Sequence, residues 1–172
     1  MAAAAVATSG DDVRIEEDST SSSSSGIGEM TPFPSSEFCK IWTRSRLPVI
    51  MFRFRGVPSE DFPIEAHDDG VKQALGHFDK CCMFIDLRQI SWVGLSNIRK
   101  LAQLLERITP LIGKHVIGTS VVVGGPLGES IMEAVFELKP PKKPIKIFKA
   151  GETEQAIDFV VSLLDDNGVD HS

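Results

Sequence analysis

The stretch CCMFIDLRQISWVGLSNIRK, residues 81–100, decides how this chain reads. Its opening, CCMFIDL, is an almost unbroken apolar run holding one acid, Asp86, as expected of a central strand covered on both faces. Beyond it Leu95, Ile98, Leu101, Ala102, Leu105 and Ile108 recur at helical spacing, with Arg99, Lys100, Gln103 and Arg107 on the opposite side. A second apolar run, HVIGTSVVV at 115–123, follows. Strand, amphipathic helix and strand make a crossover unit, which implies parallel pairing with a right-handed connection.

Upstream, FCKIWTRS (38–45) and LPVIMFRFRG (47–56) read as two strands. In the second, Phe52 and Phe54 alternate with Arg53 and Arg55, the period of a strand with one face toward water. The short link between them suggests an antiparallel pair. A helical region spans roughly 60–78, broken or loosened by Pro63 and Gly70. Downstream, GGPLGES leads into a helix at 127–138, KPPKKP leads into a strand at 145–148, and a last helix at 152–164 gives out near Asn167 and Gly168. The expected architecture is one α/β domain over 35–166, ordered β-β-α-β-α-β-α-β-α on a mixed, mainly parallel sheet, with a short tail at 167–172.

Residues 1–34 are rich in Ala, Ser, Gly and acids, with DSTSSSSSG at 18–26. Such a segment has too little apolar surface to offset its ordering entropy, so a disordered leader is expected, with Ser21, Ser22 and Ser23 as candidate phosphorylation sites. The chain's formal charge is −6, of which six acids against Arg14 place −5 in residues 1–30 and leave −1 for the rest. No large net-basic balance is available to neutralise phosphates, which argues against nucleic acid as a partner. No apolar run approaches the ~20 residues that span a bilayer, so no stable membrane insertion is expected. Three cysteines, two of them adjacent, and no charged-apolar-small leader at the start favour a reducing, cytoplasmic setting.

Several residues are candidates for chemistry. Asp86 lies within an apolar run and needs a hydrogen-bond partner, for which the backbone of the next loop is the expected source. Ser96 suits the N-cap of a helix starting at Asn97, or alternatively a phosphoacceptor favoured by that helix's N-terminus. Trp92 serves either core packing or contact with a partner. GGPLGES lacks both the dinucleotide and the P-loop spacing, so a strand-to-helix turn accounts for it and no cofactor is implied. Lys139, Lys142, Lys143, Lys146 and Lys149 form a basic cluster, and Lys139, Lys142 and Lys143 could contact an anion or an anionic lipid. Cys81 and Cys82, neighbours on a strand, face opposite ways and cannot share a metal, and the Cys and His spacings fit no zinc site.

The strand FIDLRQIS, the turn WVGLSN before IRKLAQLLERI, the strand VIGTSVVVG and the closing KIFKAGETEQAIDFV together resemble the STAS family. That family includes bacterial anti-sigma-factor antagonists and the cytoplasmic domains of sulfate transporters, and the likeness is greatest to its SpoIIAA-like branch. The resemblance spans residues 38–164 and implies a STAS-like single domain. In the regulated bacterial members the turn carries an Asp-Ser pair, and phosphorylation of that serine releases a partner. Here Gly94 and Leu95 stand in those places, so the chain resembles a divergent member without the phospho-motif. The resemblance implies a non-catalytic protein-interaction or regulatory module with an unidentified protein partner. The implied contact surface is Trp92, Val93, Gly94, Leu95, Ser96 and Asn97. A lipid or small-ligand carrier, which predicts an apolar cavity, is the alternative; an enzyme ranks third, because no nucleophile elbow, HExxH or kinase motif is present.

Overall fold

A computed structural model describes residues 29–44, 46–56, 64–91, 95–138 and 140–171. Six strands, β1 (Met30–Phe33), β2 (Cys39–Arg44), β3 (Leu47–Gly56), β4 (Cys81–Ile90), β5 (Val116–Val123) and β6 (Ile145–Lys149), form one sheet whose spatial order equals their order in the chain. The β1–β2 and β2–β3 pairs are antiparallel, and β3 through β6 pair in parallel. Four helices, α1 (Ile64–Gly76), α2 (Leu95–His115), α3 (Pro126–Leu138) and α4 (Thr153–Asp166), complete the α/β domain.

The sheet starts earlier than the sequence suggests. Met30–Phe33, inside the stretch read as leader, is the edge strand β1, so the domain begins before residue 35 and holds one strand more than expected. Pro32 hides this strand from a propensity argument, yet proline is tolerated at a sheet edge because its missing N–H removes no ladder bond on the open side.

Because the crossovers all step in one direction across the sheet, right-handed connections place α1, α2 and α3 on the same face. Val71 and Leu75 of α1, Ile108 of α2 and Ile131 of α3 share a buried cluster there with Ile50 and Phe52. After β6 the chain turns back over the other face, where Ala156, Val160 and Leu164 of α4 pack on Cys82, Phe84 and Val122. The two-residue period of β4 drives Cys81 into the first cluster and Cys82 into the second. On this face α4 packs on β4, β5 and β6, and its cluster reaches Val49 of β3 with Leu47 and Met51 at its edge; among the described residues β1 and β2 add no side chain to it.

Two glycines are set by close packing. Gly70 does not break α1, which runs through it; a Cβ there would drive into the carbonyl of Pro34, so the position lets helix and edge loop touch. A Cβ on Gly124, at the end of β5, would lie 2.6 Å from the carbonyl oxygen of Arg88 on β4. The α4 end follows the expected pattern: Gly168 takes φ 63°, and the Val169 N–H donates to Leu164 O at 3.0 Å.

Candidate functional site

Among the described residues, a cluster of aromatic and charged side chains gathers on the α4 face of the sheet beside the α4 core. Alternation along β2 buries Cys39, Ile41 and Thr43 under α1 and turns Lys40, Trp42 and Arg44 to the other side. In the ladder Trp42 stands between Pro32 on β1 and Met51 on β3, while Arg53 on β3 stands between Lys40 on β2 and Asp86 on β4. The Arg53 guanidinium lies over the Trp42 ring, 5.2 Å from its centroid, a cation–π arrangement.

Asp86 anchors the cluster. Its carboxylate, 4% exposed, accepts hydrogen bonds from the Arg88 backbone N–H (3.1 Å), Arg88 Nε (2.9 Å) and Arg88 Nη2 (2.8 Å), and lies 3.4 Å from Arg53 Nε. Arg88 Nη1 donates to Thr153 Oγ1 at 3.2 Å, and that hydroxyl donates to Ala150 O at 3.1 Å, which ties the cluster to the first turn of α4. Burial by itself pushes the Asp86 carboxyl up, but the hydrogen bonds from Arg88 and the charges of Arg88 and Arg53 outweigh it and hold the group below its ordinary value. The same hydrogen bond raises Arg88. The sequence points to the backbone of the next loop as the partner of Asp86; the backbone donor is instead the Arg88 N–H on the same strand, and two guanidiniums add to it.

The carboxylate is therefore a fixed anion locked between cations, a poor proton shuttle and a good positioner. The arginine side chains it orients are 39% (Arg53) and 35% (Arg88) exposed. Nε1 of Trp42 and Nε of Arg44 are shielded from water and have no hydrogen-bond acceptor among the described residues. Two part-exposed arginine side chains, one of them over an indole ring, suit recognition of a carboxylate-bearing chain.

The three thiols and His67 are enclosed. Burial raises the thiol of Cys39, pushes Cys81 up to about 12 and pushes Cys82 up to about 11, so thiolate nucleophiles are suppressed near neutrality. His67, buried on the α1 side, lies with Nε2 2.8 Å from Ser36 Oγ, and burial lowers its pKa. Among the described residues no three His, Cys, Asp or Glu side chains group as metal ligands.

Of the residues expected from sequence, Trp92, Val93, Gly94, Ser21, Ser22, Ser23 and Lys139 lie outside the described residues. Leu95 opens α2, and Asn97 lies within it. Ser96 is exposed in the first turn of α2, which starts one residue before it, so it is not the N-cap of a helix beginning at Asn97. Lys142 and Lys143 are exposed on the loop between α3 and β6. Trp42, Arg53 and Arg88 are absent from the sequence-based candidates, although the alternations Lys40-x-Trp42-x-Arg44 and Asp86-x-Arg88 carry the signal.

These elements form one α/β domain on a mixed, mainly parallel sheet. Among solved structures the chain is similar to an uncharacterized protein of the DUF3478 family with a SpoIIAA-like fold from Shewanella loihica PV-4, with 16% identity over 80% of this chain and 98% of that one and a TM-score of 0.49. It is also similar to SiaC of Pseudomonas aeruginosa, with 14% identity over 70% of this chain and 98% of that one and a TM-score of 0.48. No protein-family model and no curated protein matches the chain.

Proposed function

We propose that this chain is a non-catalytic protein-interaction module of regulatory type, and that the face of β2 and β3 carrying Trp42 and Arg53 binds an acidic segment of a partner protein. The observation that carries the reading is the half-exposed Trp42 with Arg53 over its ring, backed by Arg88 and Asp86 on the strands beside it. Lys40, Arg44, Arg53, Arg55 and Arg88 supply positive charge, while Asp86 is consumed internally and Glu37 is paired with Lys40 at 2.9 Å. Aromatic and arginine residues are the types on which interface energy concentrates. Ser96, exposed near the start of α2, and the serines at 21–23 are the sites at which phosphorylation would regulate the contact. The buried, free thiols suit a reducing, cytoplasmic setting, and no helix of the described residues is long and apolar enough to cross a membrane.

The test is a pull-down with the tagged full chain at physiological salt, followed by titration of the recovered protein against purified variants. Trp42→Ala and Arg53→Glu each weaken the contact at least ten-fold, and raising the salt weakens it further. A partner held equally by both variants, or one whose retention disappears after nuclease treatment, refutes the reading.

We infer a second reading, small-ligand binding, from one separate observation: an apolar cavity of about 200 Å³ lies under α2 and α3 on the opposite face of the sheet.

A further inference from the structure

The cavity is bounded by the sheet residues Phe54, Ile85 and Ile90 below and by Ile112, Val135 and Phe136 above. It lies between the strands and the helices α2 and α3, and it is bordered by the loop after α3, where two prolines stop the helix: Pro140 and Pro141 both line the space. Among the described residues its walls are mostly apolar, with Thr109 and Thr119 bearing hydroxyls. A volume of about 200 Å³ exceeds the ~150 Å³ apolar cavity that accepts benzene, so a chain on the order of six to eight carbons is the right size.

One end of this space is different in kind. Lys142 and Lys143, exposed on the loop that leads into β6, are the charged side chains among the described residues that line it, and no carboxylate lines it with them. Resting on the small-ligand reading, we propose that the cavity binds a medium-chain amphiphile with a single anionic head, its tail between the sheet and α2/α3 and its carboxylate or phosphate at Lys142 and Lys143. The tail gains from leaving water; the head stays at the solvent boundary, where exposed ammonium groups attract it without a buried charge being created. The orientation is set by chemistry, since among the described lining residues Lys142 and Lys143 are the cationic ones, and a charged head placed among the apolar side chains would be buried unpaired.

Calorimetric titration of the full chain with octanoate and, separately, 1-octanol tests it. Octanoate binds one to one and at least ten-fold tighter than octanol, octanol displaces it, and the K142Q/K143Q double variant removes the preference while leaving octanol unchanged. Both lysines are exposed, so the variant keeps its core. Equal binding of the two ligands by the unmodified chain, or a preference that survives in the double variant, overturns the anionic-head proposal and leaves the small-ligand reading standing. Binding of neither ligand overturns both.

Discussion

Replacing Asp86 with asparagine is the most informative perturbation of the sheet face, because it keeps the shape and deletes the charge. The amide oxygen of the substituted side chain could still accept from the Arg88 N–H and Nε, which now reach the carboxylate at 3.1 and 2.9 Å. What is lost is the Oδ2 position, where Arg88 Nη2 at 2.8 Å and Arg53 Nε at 3.4 Å would meet an NH₂ group instead of an oxygen. Breaking a fully buried pair costs about 3–5 kcal/mol. Here the carboxylate is 4% exposed but the arginine side chains are more than a third exposed and recover part of their hydration, so about 2 kcal/mol is the appropriate magnitude. For a chain of this length that is a fall in Tm of roughly 4–8 °C.

Urea and thermal unfolding of the two proteins at neutral pH read it directly, and acid supplies the control. The folded-state pKa of Asp86 is depressed, so its contribution is present above the unfolded carboxyl value of about 3.9 and is lost as pH falls through the lower folded value. The gap between wild type and Asp86→Asn therefore closes in strong acid. A neutral-pH difference below about 0.5 kcal/mol, or a gap that widens in acid, refutes the account of Asp86 as the clamp on Arg53 and Arg88.

Other expectations follow from the packing. Gly70→Ala forces a Cβ against the Pro34 carbonyl and destabilises the domain by about 1–3 kcal/mol, whereas Gly76→Ala, with open space at its Cβ, is neutral or stabilising by up to about 1 kcal/mol; denaturant midpoints that rank the two the other way contradict the contact. Cys39, Cys81 and Cys82 resist a thiol reagent in the native protein at pH 8 and all react in denaturant, and rapid native labelling of any of them would show an open core. His67 is held neutral by burial, so its folded pKa lies below the unfolded value of about 6.5 and the unfolded chain binds the proton first. Stability accordingly declines as pH drops below that value, and His67→Gln flattens the decline; an unchanged slope removes His67 as its source.

Much of the fold was written in periodicity. The apolar runs that became β4 and β5 and the spacing that became α2 need no tertiary information, because each expresses burial that the element imposes on its own sequence. β1 was illegible for the opposite reason: four residues with a proline at the centre carry no pattern, and Met30–Phe33 is a strand because β2 is there to pair with. Gly70 misled in the same way, since a helix interrupter and a point of close approach look alike until Pro34 is placed beside it. The candidate site was half legible. The alternation shows which face Arg53 and Arg55 share, but the meeting of Trp42, Arg53 and Asp86 is cross-strand: the register sets Arg53 opposite Lys40 and Asp86, and Trp42, opposite Met51, stands on the diagonal from Arg53.

That the strands lie side by side in the order of the chain has a consequence for how the domain is made. Each new strand finds its neighbour already in place at the growing edge, so the sheet can extend as the polypeptide emerges, with no early strand waiting for a late one to be inserted beside it. The span that must be closed for each pairing is one hairpin or one crossover, which keeps the loop-closure entropy of a largely parallel sheet small. Only α4 must reach back, to β4 and β5, and its docking closes the second core over Cys82 and Phe84. Assembly should therefore finish at the C-terminus, with the α4 face the last surface to leave water.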